Sequence, residues 1–205
     1  MPVIAVVGTT MNSGKTTTAA QLIHGYSRLG YKAGAAKITG TGSGCDVWKM
    51  MDAGAYRTYD FTDAGHPSTY GLSATVIETI FNQLVGQLAN EQCNLAVIEI
   101  ADGVLQSETA ALLRSRLFQD TIGGVVFAAG DSLSAVGCLD WLEKEQLNVL
   151  GVSGVVSCSP LAAREVEAAC QMQVLDKRDL LQPDLLKGLL SLLENHGAAT
   201  RACVQ

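Results

Sequence analysis

The sequence predicts an α/β protein, a three-layer α/β/α arrangement around a doubly wound, mostly parallel sheet. Three observations predict it. Segments of strand type alternate with segments of helical spacing along nearly the whole chain. The strand segments are continuous apolar runs, not alternating ones, as strands buried on both faces require. No repeat, low-complexity stretch or linker interrupts the 205 residues, so a single domain over 1–195 is expected, with 196–205 as a tail.

The elements follow in order. Pro2 to Val7 is a short β-branched run and reads as a buried strand. A Gly-bounded loop follows, then a helical pattern that includes Ala19, Ala20, Leu22 and Ile23 and closes at Gly30. Tyr31 to Ile38 is a second strand, ending in the glycine-rich stretch 39–44. A helix is expected over 46–55 and a strand over 56–61, then an irregular stretch over 62–71. Val76, Ile77, Ile80, Phe81, Leu84 and Leu88 share one helical face, predicting a long helix over 73–88. Leu95 to Ile100 is a buried strand carrying one acid near its end. Helix over 108–118, strand over 122–128, helix over 133–145 and strand over 149–156 come next. Ser159-Pro160 opens another helix, with proline at its favoured first position. Val174-Leu175 predicts a last short strand, and 183–194 the closing helix.

In a sheet of this kind ligands sit beyond the carboxyl ends of the strands. The candidate site loops are therefore 8–16, 37–46, 60–70, 99–106, 129–132 and 157–160. The first is the most informative. Gly8-Thr9-Thr10-Met11-Asn12-Ser13-Gly14-Lys15-Thr16-Thr17 lies between a buried strand and a helix, the context a phosphate-binding P-loop requires. Successive backbone N–H groups and the helix N-terminus favour anions there. Gly14 admits close backbone approach, Lys15 reaches the β- and γ-phosphates, and the Thr16 hydroxyl takes Mg²⁺. Lys15 is expected to face solvent in the site. The motif makes the fold a P-loop NTPase fold.

Composition excludes other classes. The net charge is −6 and no basic patch stands out, so no nucleic-acid partner is expected. The N-terminal apolar run is too short for a signal peptide or a membrane span, so no membrane association and a cytoplasmic location are expected. Six cysteines, at 45, 93, 138, 158, 170 and 203, form no Cys-x-x-Cys pair and read as reduced core residues. Trp48 and Trp141 read as packing residues.

Other residues can join the chemistry. A lone carboxylate at a buried strand end needs a compensating cation, so Glu99 reads as a Walker B-type acid toward Mg²⁺. Asp102, three residues on, either assists the metal or is a turn acid. Asp46 is either the cap of its helix or a second metal-binding carboxylate. Lys37 ends the second strand, where its ammonium points into the site. Asp63 and His66 border the same rim, and His66 is a candidate base.

These residues resemble a known family. Gly8-Thr9 and Gly14-Lys15-Thr16 match the spacing of the dethiobiotin synthetase P-loop. Lys37, Asp46 and Glu99 resemble that family's strand-end lysine, loop aspartate and strand-end glutamate. The resemblance implies a SIMIBI-class protein with Mg²⁺ held by Thr16, Asp46 and Glu99, and with ATP as cofactor, GTP being possible. It implies catalytic roles for Lys15, Lys37 and Glu99, a small acidic substrate, and a homodimer. Residues 46–55 also resemble the Asp-to-Ala-Gly-Ala stretch of the small GTP-binding adaptor of molybdopterin guanine dinucleotide biosynthesis. Two departures stand out. Glu99-Ile100-Ala101-Asp102-Gly103 replaces the synthetases' Gly-Ala-Gly-Gly run after the glutamate, and 156–160 lacks their base-reading asparagine. Thr10 stands where the ParA-like branch has its extra lysine.

The resemblance therefore implies a Mg-ATP-dependent enzyme that phosphorylates or activates the carboxylate of a small metabolite. A slowly hydrolysing adaptor that serves a partner enzyme in cofactor biosynthesis is the alternative. High apolar content, with helices 73–88, 105–118 and 183–194 rich in Leu, Ile and Phe, agrees with a twofold dimer.

Overall fold

A computed structural model describes residues 1–202, with side chains up to Leu193. Six strands form one sheet: β1 (Val3–Gly8), β2 (Ala33–Lys37), β3 (Arg57–Asp60), β4 (Leu95–Glu99), β5 (Gly124–Ala128) and β6 (Val149–Ser153). Their order is β3-β2-β4-β1-β5-β6, and all five strand pairs are parallel. Among the described residues eight helices flank them: α1 (Lys15–Arg28), α2 (Gly44–Asp52), α3 (Ala74–Asn90), α4 (Ser107–Arg114), α5 (Arg116–Thr121), α6 (Ser132–Lys144), α7 (Pro160–Cys170) and α8 (Pro183–Ala202). The tail expected over 196–205 lies outside the residues whose side chains are described.

The strands' unbroken apolarity has the expected cause. In β1, Val3, Ala5 and Val7 pack against one layer, while Ile4 and Val6 pack against the other. The first layer comes from α3 to α7, with Ile80, Phe81, Leu113 and Phe118 among its buried residues. The second comes from α1, α2 and α8, with Leu22, Tyr26, Met50 and Leu186. All strands but the edge strand β3, which is partly exposed, are thus buried on both faces, the condition for a parallel sheet with crossover helices.

Several boundaries differ from those expected. The helix over 108–118 is two helices, because the extended Ser115 ends α4 and caps α5 by accepting the Phe118 N–H. The strand over 149–156 stops at Ser153, since Gly154 has φ +92° and a 3-10 turn (Val155–Cys158) follows. Val174 forms only an isolated bridge to Val152. The first helix begins at Lys15, four residues before its apolar pattern.

The cysteines and one tryptophan also need correction. Of the five described cysteines only Cys93 is fully buried; Cys45 and Cys158 are exposed. All five are free thiols, and Cys203 lies outside the described residues. Trp48 is exposed on α2, whereas Trp141 packs on the core under the Arg114 guanidinium. Among the described residues no helix is long and apolar enough to cross a membrane.

Candidate functional site

β1 lies at the middle of the sheet, between β4 and β5. The loop after it therefore opens beside the ends of both neighbours. The Thr9 N–H donates to the Ala128 carbonyl, and the Val104 N–H to the Gly8 carbonyl. Asn12 and Gly14 both take positive φ, turning the loop back into α1. A Cβ on Gly14 would meet the Gly154 Cα at 2.9 Å. The first bond of α1 runs from the Thr18 N–H to the Gly14 carbonyl, and no side chain caps the helix. The N–H groups of Lys15, Thr16 and Thr17 precede that bond and are left for a ligand.

Lys15 is buried, at 5% exposure, which corrects the expectation of a solvent-facing lysine. Its ammonium donates to the Thr10 carbonyl at 2.8 Å, so the chain folds back under its own loop. Burial pushes its pKa below the usual lysine value, against the opposing pull of Glu99 and Asp102.

Four expected residues meet at the edge of this loop. The Thr16 hydroxyl lies 3.2 Å from Oδ1 of Asp46 and 3.1 Å from Oε1 of Glu99. One hydroxyl proton cannot satisfy two carboxylates. Oδ2 of Asp46 pairs with the Lys37 ammonium. Oε2 of Glu99 is buried without a hydrogen-bond partner. Burial raises the Glu99 pKa above the usual carboxylate range, while Lys37 and Lys15 oppose the shift. Among the described residues no cluster of three or more His, Cys, Asp or Glu stands ready for a metal. Two carboxylates and a hydroxyl are nevertheless an all-oxygen set of the kind Mg²⁺ accepts while keeping waters. The unpartnered Oε2 is the observation that makes a cation fit here.

Asp46 is not a helix cap: α2 starts after Ser43, and Asp46 stands in its first turn. Asp63 accepts the Asp60 N–H and holds a turn. The His66 backbone closes onto the Phe61 carbonyl, and no described contact brings its ring to the lysines. Asp102 is brought close enough to Lys15 to act on its charge.

The two irregular loops, 39–44 and 62–71, are laced together. Gly42 donates to the Pro67 carbonyl, Thr69 to the Gly40 carbonyl, and the Gly40 N–H to the Thr69 hydroxyl. The Thr39 and Thr109 hydroxyls both donate to the Ala101 carbonyl, tying these loops to the segment after Glu99. Buried Glu108 completes the lacing: it accepts from Gly71, Gln106 and Ser107. Sequence reasoning missed Thr39, Thr69 and Glu108, whose partners are distant in the chain. It also missed Gly154, a strand-end glycine whose only signal was its place after an apolar run.

This fold is that of the P-loop NTPases. A signal recognition particle 54 kDa protein from Aeropyrum pernix K1, solved in complex with GDP, superposes with a TM-score of 0.59 at 18% identity. The match covers 94% of this chain and 49% of that one, so the chain spans about half the length of that protein. The signal recognition particle receptor FtsY from Elizabethkingia anophelis gives 0.53 at 16% identity, covering 94% and 65% of the two chains. FtsY from Mycoplasma mycoides gives 0.57 at 12%, covering 95% and 67%. These identities carry the fold and nothing narrower. No protein-family model and no curated protein matches the sequence.

Proposed function

We propose that this chain binds a nucleoside triphosphate with Mg²⁺ at 8–17 and passes its γ-phosphoryl to a small acidic metabolite, phosphorylating it or activating its carboxylate. The observation that carries this is the meeting of Thr16, Asp46, Lys37 and Glu99 beside an uncapped helix start, with one Glu99 oxygen buried and unpartnered.

Gly8 to Thr17 cradle the phosphates through backbone N–H groups. Lys15 leaves the Thr10 carbonyl for the β- and γ-phosphate oxygens. A buried ammonium exchanging a neutral carbonyl for phosphate gains a charge-assisted bond in a low-dielectric site. Thr16, Asp46 and Glu99 hold the Mg²⁺, which when bound neutralises charge on the phosphates. Lys37, released from part of its pairing with Asp46, meets the γ-phosphoryl or the acidic acceptor. The laced loops 39–44 and 62–71 border the acceptor's place and exclude water from it.

A second reading, an adaptor with slow hydrolysis that serves a partner enzyme, draws on one observation. Tyr70, on the laced loops, is 85% exposed. An exposed aromatic on a site loop suits a protein partner.

A thermal-shift screen tests the proposal, first with nucleotides with and without Mg²⁺, then with small carboxylic acids in the presence of nucleotide. Stabilisation by nucleotide that needs Mg²⁺ and grows with one acid supports the enzyme. Nucleotide stabilisation that no acid increases favours the adaptor. No stabilisation by any nucleotide overturns both.

A further inference from the structure

The segment that follows Glu99 is pinned from several sides. The Glu99 carbonyl accepts the Ile38 N–H, and the Ile100 N–H donates to the Val6 carbonyl, both at 2.9 Å. The Val104 N–H closes the segment onto the Gly8 carbonyl at 3.0 Å. Between these ties lies the Ala101 carbonyl, which accepts the Thr39 and Thr109 hydroxyls, Thr109 at 2.7 Å. The Thr109 proton has a second acceptor, Oε1 of Gln106, farther off at 3.1 Å. Both threonines are shut away from solvent. A buried hydroxyl costs free energy unless it is bonded, and one carbonyl oxygen has two lone pairs to receive the pair.

The two donors come from different elements. Thr39 lies two residues beyond Lys37, the last residue of β2, and Thr109 lies in the first turn of α4. Lys37 stands opposite Glu99 in the sheet register, so the clamp sits just past both charged strand ends. The Glu99 side chain has little to aim it: Oε1 meets the Thr16 hydroxyl, and Oε2 is buried without a partner. Its direction is therefore set by the backbone that carries it. The residue before Thr109 grips another loop. Buried Glu108 accepts the Gly71 N–H, and Gly71 closes the stretch whose Thr69 is bonded to Gly40. Two adjacent residues of α4 thus hold the segment after Glu99 and the loop over 62–71.

We propose that Thr39 and Thr109 are positioning residues for Glu99, and that α4, through Thr109 and Glu108, couples loop 62–71 to that carboxylate. This rests on the reading of Thr16, Asp46 and Glu99 as the Mg²⁺ site. Partners that orient a metal ligand without touching the metal are worth about tenfold or more in metal affinity.

Calorimetric titration of the full chain with ATP and with GTP, each in Mg²⁺ and in EDTA, tests the proposal. The readout is the gain in nucleotide affinity that Mg²⁺ brings. Thr39→Val with Thr109→Val is expected to cut that gain about tenfold and to leave the affinity in EDTA unchanged. Thr109→Ser, which keeps the hydroxyl, restores it when paired with wild-type Thr39. In a Glu99→Gln background the two valines change nothing further, as residues acting through one another require. Hydrogen exchange reads the coupling: Mg²⁺ added to the nucleotide complex slows exchange over 62–71 in the wild type and not in Thr109→Val. Should the double variant not fold, Thr39→Val alone carries the same cycle with Glu99→Gln. An equal loss in EDTA and in Mg²⁺, or a loss that persists in Glu99→Gln, makes the threonines structural and overturns the proposal. Exchange over 62–71 that ignores Mg²⁺ in the wild type overturns the coupling. Wild-type binding of nucleotide without any gain from Mg²⁺ overturns the positioning role and leaves the phosphate site standing. Failure of both nucleotides to bind overturns both readings.

Discussion

The Thr16 hydroxyl stands 3.1 Å from Oε1 of Glu99, although 83 residues separate them in the chain. The contact exists because β1 and β4 are paired in register, Val6 opposite Glu99, so the start of α1 and the end of β4 meet at one edge. Glu99→Gln is expected to keep the fold, since the lost charge is one that burial already disfavours. It should slow nucleotide turnover by about a hundredfold or more and weaken the Mg²⁺ requirement. Turnover assayed across a Mg²⁺ titration checks this; curves identical to wild type would make Glu99 a structural residue.

Lys15→Ala should cost about tenfold to a hundredfold in nucleotide affinity, the range for hydrogen bonds to charged groups. Its melting temperature should stay the same or rise, because a desolvated ammonium is removed from the interior. Calorimetry and a melting curve on one sample read both. An unchanged affinity would refute the phosphate-site reading.

Glu108 carries a pH prediction. Hydrogen bonds from Ser107, and then from Gly71 and Gln106, hold its carboxyl below the usual carboxylate range. A depressed folded-state pKa gives stability that is present above the unfolded value and lost as pH falls through the folded one. Glu108→Gln should therefore destabilise the protein at neutral pH by about 1–2 kcal/mol. The difference from wild type should shrink as pH drops below the ordinary glutamate range. Denaturant melts from neutral to acid pH test it; a constant difference would remove Glu108 from the account.

The outline of the fold was legible because unbroken apolar strands and periodic helices each have one cause, burial on two faces or one. The turn between β1 and α1 was legible because its residues are adjacent in sequence. Asp46, Lys37 and Glu99 were legible only as candidates, since their meeting depends on sheet order, which no local pattern encodes. The break at Ser115 was hidden within apolar spacing that suits one helix as well as two. Lys15 was misjudged on exposure because a lysine's burial depends on how the loop closes over it.

The assembly prediction changes with the structure. The apolar faces of α3 and α8 expected at a dimer interface are largely spent on the chain's own core, at Ile77, Ile80, Leu84, Leu186 and Leu189. Exposed apolar side chains instead follow the carboxyl ends of strands: Met11, Tyr70, Leu105 and Leu133. Light scattering at micromolar concentration is expected to give twice the 21.5 kDa chain mass, with Tyr70→Ser and Leu105→Ser together returning the monomer. A monomeric mass for the unaltered chain, with or without nucleotide, would refute the dimer.

The backbone contact between Gly14 and Gly154 spans 140 positions of sequence. Ser13 also gives its carbonyl to the Val155 N–H, at 3.0 Å. The loop after β1 is therefore cast against the far half of the chain. A fragment ending before β5 would keep every letter of the motif and lose the mould that shapes it. A graft of 1–30 onto another sheet would have to bring its own partner for Gly14.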